Sequence, residues 1–479
     1  MRKGLSKVPK RLRMFQFGGT MRVLISGATG LIGKEIGKRL IQDGHQITAL
    51  VRDLDQARKA LPFPAKLVKW DVGQDISQDA MKDVEGIINL AGESIADGRW
   101  TDERKKRILE SRVLGTRALV KAALAKSDFK VFVSGSATGF YGDRENEILD
   151  ESMERGSGFL ADVAAAWEDE LKPLASSPIR WVAIRTSVVF DRHGGALQKL
   201  FPLFEKGLAG HLGSGQQWMS WIHLDDISRL FVFALETESA RGPINGTAPE
   251  PVRNDRFTVE MARALGKPVF LPVPEAALKL ALGEMSSSVL DSQRAIPKKA
   301  QDLGFQFQHG EIVEALQSIG GPLKGGQHEL FSEQWLPLKP EEIFPFYSDE
   351  KNLEALTPPF LKFKVLGKST EAMRSGTLIN YRLSLHGLPF KWQTEIQDWE
   401  PNKRFVDEQL KGPYKKWHHV HDFIPLGGGT LIRDRVTYKL PLGFLGDTLV
   451  GWKVSGDVAK IFAYRRNVID QEFSKGGRQ

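Results

Sequence analysis

Residues Gly27-Ala28-Thr29-Gly30-Leu31-Ile32-Gly33 constrain the fold of this chain more than any other stretch. They follow an apolar run, Met21–Ser26, and open a segment, Ile32–Asp43, whose apolar residues recur at helical spacing. Glycine in that order answers three needs: a sharp turn, a close backbone approach to a pyrophosphate, and tight packing of helix on strand. The helix N-terminus adds unpaired N–H groups and a partial positive charge. The motif predicts a strand–loop–helix unit that holds a dinucleotide at Gly27, Thr29, Gly30, Leu31, Ile32 and Gly33. The end of the next apolar run, Gln46–Val51, indicates which one. An acid there accepts the ribose 2′-OH of NAD, whereas an arginine pairs with the 2′-phosphate of NADP. The chain reads Ala49-Leu50-Val51-Arg52, with no acid before Asp53, so Arg52 predicts NADP(H).

Further apolar runs at Lys66–Trp70, Gly86–Ala91, Lys130–Ser134 and Trp181–Arg185 alternate with helical patterns at Ile108–Ala125 and Leu160–Leu174. Alternation over this length predicts an α/β fold with a doubly wound parallel sheet. From about Val252 the pattern turns helical. The run Gly320-Gly321-Pro322-Leu323-Lys324-Gly325-Gly326 then reads as a linker. Beyond it, strand patterns at 328–338, 362–368, 377–386, 389–399, 404–411, 416–424 and 430–440 predict an antiparallel meander. A short helix is expected at Pro340–Tyr347. A closing helix carries Leu445, Leu449, Val454, Val458, Ile461, Phe462, Val468, Ile469 and Phe473 mostly three or four apart, so an α+β unit should curl around it. The expected organisation is a basic tail at 1–20, a cofactor domain at 21–250, its helical substrate-side part at 251–319, a linker at 320–327 and a second domain at 328–475.

The net charge of +8 resembles a nucleic-acid signal, but six bases and no acid fall within residues 1–20. The remaining +2 is ordinary, and no nucleic-acid partner is expected. No stretch approaches about 18 uninterrupted apolar residues, so no membrane span is expected. The absence of cysteine removes disulfides and thiolate chemistry and fits a cytoplasmic protein.

With these motifs in order, the chain resembles the extended, epimerase-like branch of the short-chain dehydrogenase/reductase superfamily, which has a Rossmann-type fold. Asp71-Val72, Asn89-Leu90-Ala91-Gly92, Ser134-Gly135-Ser136-Ala137-Thr138 and Tyr141-Gly142 fall in that family's sequence. More narrowly, it resembles epimerase-like proteins once labelled cell-division inhibitors, through Arg99-Trp100-Thr101, Gly213-Ser214-Gly215-Gln216-Gln217-Trp218 and Trp221-Ile222-His223-Leu224-Asp225-Asp226. The resemblance implies that Asp71 and Val72 flank the adenine, that Leu90, Ala91 and Gly92 line the cofactor, and that Ser136 sits beside the nicotinamide. Asp225 and Asp226 are expected to be structural, as helix caps.

The family reaction uses a Tyr-x-x-x-Lys pair, and counting back from Glu168 its two slots hold Leu160 and Ala164. Another proton donor is needed: Glu93 is the first candidate and Tyr141 the second. Arg112 and Arg185 either bind an anionic substrate or pair with carboxylates. The leading expectation is an atypical oxidoreductase or epimerase acting on an unidentified small molecule. The alternative is a non-catalytic sensor of NADP(H) and an apolar ligand. The oligomeric state is left open.

Residues 328–474 resemble the START-like (helix-grip) polyketide-cyclase/coenzyme-Q-binding superfamily, through Gly412-Pro413-Tyr414, Trp417-His418-His419-Val420-His421-Asp422-Phe423 and Asp434-Arg435-Val436-Thr437-Tyr438. The resemblance implies a cavity for an apolar ligand, with Trp392, Trp399, Trp417, Phe423 and Tyr438 lining it or filling the core. Of the three histidines only His419 and His421 share a strand face, and no third ligand has evident spacing, so no metal is expected. No catalytic cluster is evident there either, which ranks a cyclase activity low.

Overall fold

The computed structural model describes residues 19–385, 387–441 and 444–474. The basic tail expected at 1–20 lies outside them, apart from Gly19 and Thr20. Seven strands form the first sheet: β1 (Arg22–Ser26), β2 (Gln46–Val51), β3 (Lys66–Lys69), β4 (Val84–Asn89), β5 (Val131–Ala137), β6 (Arg180–Thr186) and β7 (Gly242–Gly246). They lie in the order β7-β6-β5-β4-β1-β2-β3, and every neighbouring pair is parallel. Val23, Leu24, Ile25, Ile87 and Ile88 are fully buried, as central strands covered on both faces should be. On one face lie α1 (Leu31–Gln42) and α5 (Leu224–Glu236), and on the other α3 (Asp102–Leu124). Between α3 and α5 in sequence, α4 (Phe159–Asp169) carries the segment in which the Tyr-Lys pair was sought. A short α2 (Leu54–Ala60) follows β2. The strand order reverses between β1 and β4, which opens a crevice at their carboxyl ends.

Three local departures from the sequence reading have physical causes. Helix α3 starts at Asp102 rather than Ile108, because Thr101 Oγ1 accepts the Arg104 N–H (3.3 Å) and Asp102 and Glu103 complement the positive helix end. Helix α4 stops at Asp169, and the chain through Pro173 continues as a 3-10 turn, since proline cannot donate to an α-helical ladder. The α5 cap is His223, whose Nδ1 accepts the Asp225 N–H (3.1 Å). Asp225 instead pairs with Arg39. Asp226, fully buried, accepts the backbone N–H groups of Gln308 (2.9 Å) and His309 (2.8 Å) and ties the helical tail to the sheet.

In that tail α6 (Asn254–Leu265) packs on α7 (Ile312–Gly320) through Phe257, Met261, Leu265, Ile312, Leu316 and Ile319. Gly320 closes α7, where an added Cβ would meet Ala264 Cβ at 3.1 Å. Gly321–Leu323 then forms a 3-10 turn that buries Leu323, so the glycine-rich run is folded where it begins.

The second sheet comprises β8 (His328–Leu336), β9 (Lys364–Lys368), β10 (Leu378–Leu385), β11 (Leu388–Glu400), β12 (Arg404–Lys411), β13 (Lys416–Leu426) and β14 (Gly429–Lys439). It is antiparallel throughout, in the order β8-β14-β13-β12-β11-β10-β9. A short α8 (Pro340–Ser348) and a long α9 (Phe444–Ser474) pack on it, α9 burying Val458, Phe462 and Ile469, in the helix-grip arrangement. The side chains of Leu445 and Leu449 fall outside those described. Among the described residues no helix is long and apolar enough to cross a membrane.

The two halves share a core. Leu426 and Leu431 belong to the same buried cluster as α1, and a Cβ on Gly427 would meet Pro64 Cγ at 2.5 Å. Lys38, on α1, is 6% exposed and reaches Glu333 of β8 at 2.7 Å, while Arg433 donates to Glu333 at 2.9 Å. Burial raises the Glu333 pKa, but Lys38 and Arg433 outweigh it and hold the carboxyl below its usual range. Its stabilisation is therefore complete above the unfolded value of about 4.3 and is lost as the pH falls through the lower folded value. Glu333→Gln should destabilise the chain at pH 7 by roughly 1–3 kcal/mol, since Lys38 keeps Glu35 at 2.6 Å but both it and Arg433 lose a charged acceptor. Urea melts at pH 7 and pH 3 should show that loss shrinking at the lower pH.

Candidate functional site

The crevice between β1 and β4 is built from backbone. Gly27 follows β1 with φ +74°, and a Cβ there would meet Leu90 C and O at 2.8 Å. On Gly33 it would meet Gly27 O at 2.3 Å, so both glycines are required by contact. Gly30 caps α1 with no side-chain hydrogen bond, and the first turn of α1 holds no acid. No side chain therefore caps the N–H groups of this helix end. Thr29 and Gly30 are exposed, and Leu31 and Ile32 half-buried.

The opposite lip is Leu90-Ala91-Gly92, after β4. Ser26 Oγ accepts the N–H groups of Leu90 (3.2 Å) and Ala91 (3.3 Å) and donates to Asn89 Oδ1 (2.6 Å), which locks the two loops together. Arg52 stands exposed at the tip of β2, while Asp53 accepts the Asp55 and Gln56 N–H groups (both 2.9 Å) as the cap of α2. The nearest acid is thus turned to capping. Asp71 and Val72 are exposed just beyond β3, at the same end of the sheet.

Ser136, 4% exposed on β5, donates to Glu168 Oε1 at 2.7 Å. Arg185 grips the same carboxylate with two bonds (Nε 2.8 Å, Nη2 2.9 Å) and donates from Nη1 to Tyr141 Oη (2.9 Å). Burial opposes the Arg185 charge, but Glu168 outweighs it and the pKa is raised. Glu168 and Asn245 are the members of this chain that residue patterns did not single out. A serine five residues before a tyrosine draws attention; a glutamate one turn beyond an alanine-rich helix face does not.

Two expectations change here. Tyr141 is fully buried, its hydroxyl is hydrogen-bonded to Asn245 Oδ1 (2.7 Å) and the Asp150 carbonyl (3.0 Å), and burial pushes its pKa up to about 12. A phenol so held serves the packing of the fold. Arg185 is spent on Glu168 and Tyr141, with Phe140 stacked at 3.6 Å, so it pairs with a carboxylate. Glu93 lies 3.3 Å from Arg104 and 3.4 Å from Arg107, so its carboxylate is held in ion pairs. Arg112 differs from both: it bonds only the carbonyls of Glu93 (3.1 Å) and Ile108 (3.0 Å) and lies over Trp167, beside Gly92. Burial lowers its pKa to about 10, the mark of a cation short of counter-charge.

In the second domain a cavity is bordered by Phe346, Tyr347, Tyr381, Trp399 and Phe405, with Asp407, His421 and Arg465 at one side. Trp392, Phe423 and Tyr438 are core residues.

Comparison with known proteins now adds to the geometry. Residues 23–245 match the NAD dependent epimerase/dehydratase family, 273–319 a domain of unknown function, and 336–463 the polyketide cyclase / dehydrase and lipid transport family. Over 304 residues the chain is 39% identical to the epimerase family protein SDR39U1 homolog, chloroplastic, of Arabidopsis thaliana, spanning 62% of this chain and 86% of that one. The chain belongs to the SDR39U1-type epimerase family. Another relative is the epimerase family protein YfhF of Bacillus subtilis, 34% identical, with 62% of this chain and 98% of that one aligned. The crystal structure of human SDR39U1 with NADPH superposes on 63% of this chain and 99% of its own, at 30% identity and a TM-score of 0.57. This SDR39U1-type domain is thus an atypical short-chain dehydrogenase/reductase module fused to a START-like one.

If Tyr141 is structural, Tyr141→Phe should cost roughly 1–3 kcal/mol by leaving Asn245 and Arg185 underpaired in the core. A urea midpoint unchanged from the wild type would contradict that assignment.

Proposed function

We propose that this chain is an NADP(H)-dependent atypical oxidoreductase or epimerase that works without a Tyr-x-x-x-Lys pair and carries an apolar ligand in its START-like domain. The observation that carries the cofactor choice is Arg52, exposed at the tip of β2 while Asp53 is engaged in capping α2. Support comes also from human SDR39U1, solved with NADPH. Gly27, Thr29, Gly30, Leu31, Ile32 and Gly33 would hold the pyrophosphate, Arg52 the 2′-phosphate, Asp71 and Val72 the adenine, and Leu90, Ala91 and Gly92 the opposite lip. A bound dinucleotide of this type supplies a hydride donor or acceptor.

Ser136 would orient the substrate oxygen, its hydroxyl set by Glu168 and Arg185. Arg112 would attract an anionic group of the substrate, because among the ionisable candidates it alone bonds only carbonyls. The aromatic cavity of the second domain supports an apolar ligand there. A second reading, a non-catalytic sensor of NADP(H) and that ligand, is favoured by one observation: Tyr141 and Glu93 are both tied down, and Leu160 and Ala164 fill the missing slots.

Calorimetric titration with NADPH and NADH tests the cofactor assignment. NADPH should bind more tightly, and Arg52→Ala should weaken NADPH at least about tenfold, or ~1.4 kcal/mol, while leaving NADH unchanged. Equal affinities for both nucleotides in the wild type would overturn the NADP(H) assignment. Turnover that vanishes in Ser136→Ala with NADPH binding intact favours the enzyme over the sensor.

A further inference from the structure

Strand register in the second sheet brings together side chains that are distant in sequence. Asp407 on β12 lies directly across from His419 on β13, and Asp434 on β14 lies directly across from His421. His419 and His421 alternate onto the inner face, 3% and 1% exposed, while His418 points the other way and pairs with Glu408 at 2.5 Å. Each imidazole therefore sits between two carboxylates.

The distances give the two carboxylates different parts. His419 Nε2 is hydrogen-bonded to Asp434 Oδ1 at 3.0 Å, which leaves Nδ1 facing Asp407 Oδ2 at 3.8 Å. His421 places Nε2 at 3.1 Å from that same Asp407 oxygen, and its Nδ1 lies 2.8 Å from Asp434 Oδ1 but out of line for a hydrogen bond. One ligand atom from each of Asp407, His419 and His421 falls within 4.8 Å of the others. An ion bonded at about 2.0–2.2 Å holds its ligand atoms no more than about 4.4 Å apart, so binding draws this triangle slightly closer.

We propose that Asp407, His419 and His421 form a binding site for a divalent transition-metal ion, two of them, Asp407 and His421, bordering the cavity of the START-like domain. Two imidazoles and one carboxylate suit zinc, iron or cobalt and disfavour calcium and magnesium, which prefer oxygen. Asp434 supplies the outer carboxylate that fixes the orientation of a metal-bound imidazole. A separate observation points to a ligand at the open side. Tyr347, 8% exposed, borders the same cavity, yet its hydroxyl finds no hydrogen-bond partner, the Arg465 guanidinium lying over its ring at 5.4 Å. With the ion bound, two carboxylates, one arginine and a dication sum to a single positive charge, which suits an anionic oxygen as the next ligand. The alternative, protons alone shared among the four side chains, is an outcome of the test.

The test uses the full chain, stripped with a chelator, then titrated with Zn²⁺ by calorimetry and with Co²⁺ by visible absorption. One equivalent should bind, with a Co²⁺ spectrum of fewer than six ligands. His419→Ala should abolish binding, Asp434→Asn should weaken it about 10–100-fold, and His418→Ala should leave it unchanged. Circular dichroism and the urea midpoint of the same samples show whether each variant is folded, and NADPH titration reports separately on the first domain. Failure of the wild type to bind an equivalent of either ion, or equal binding by wild type and a folded His419→Ala, would overturn the proposal and leave the proton-sharing cluster.

Discussion

Ser26, at the carboxyl end of β1, holds two loops in place with one hydroxyl. It accepts from the N–H groups of Leu90 and Ala91 and donates to Asn89, so the loop after β4 is pinned against the loop after β1. The pin works because the two strands are neighbours at the point where the sheet order reverses. Gly27 and Gly33 then take their conformations from contact distance, since a side chain on either would strike backbone. The open helix end, the exposed Arg52 and the Leu90–Gly92 lip all inherit their positions from this arrangement.

Buried ion pairs do comparable work elsewhere. Arg185 with Glu168 threads Ser136 and Tyr141 into one network, and Lys38 with Glu333 and Arg433 ties the START-like sheet to α1. Such pairs add little net stability against an apolar core, but losing one partner is costly, so they make arrangement specific. The shared cluster around Leu426 and Leu431 means the second domain is docked on the helix that carries the glycine motif.

Much of the first domain was legible because parallel strands buried on both faces leave unbroken apolar runs, and because glycine loops are read directly. The strand β7 was not, since Gly-Pro-Ile-Asn-Gly has no alternation and is placed only by pairing with β6. The start of α3 was missed because residues 102–107 are all polar, although Thr101 carried the capping signal. Tyr141 looked available in sequence; the bonds of its hydroxyl to Asn245 and the Asp150 carbonyl are made only by packing. Asp407 escaped for a similar reason. Its distance to His419 depends on the register of a hairpin whose turn sits at Gly412–Pro413, and register across strands cannot be read from residue type. The aromatic residues of the second domain were legible as apolar but not as lining or core, a division made by the curl of the sheet.

A nucleotide held by this chain would sit where the sheet order reverses. Hydrogen–deuterium exchange of the full chain with and without saturating NADPH measures this directly. Slowed exchange at residues 27–33 and 90–92, with the 407–421 segment unchanged, is the result the account predicts. Protection that leaves residues 27–33 untouched, or that appears only in the START-like domain, would contradict it.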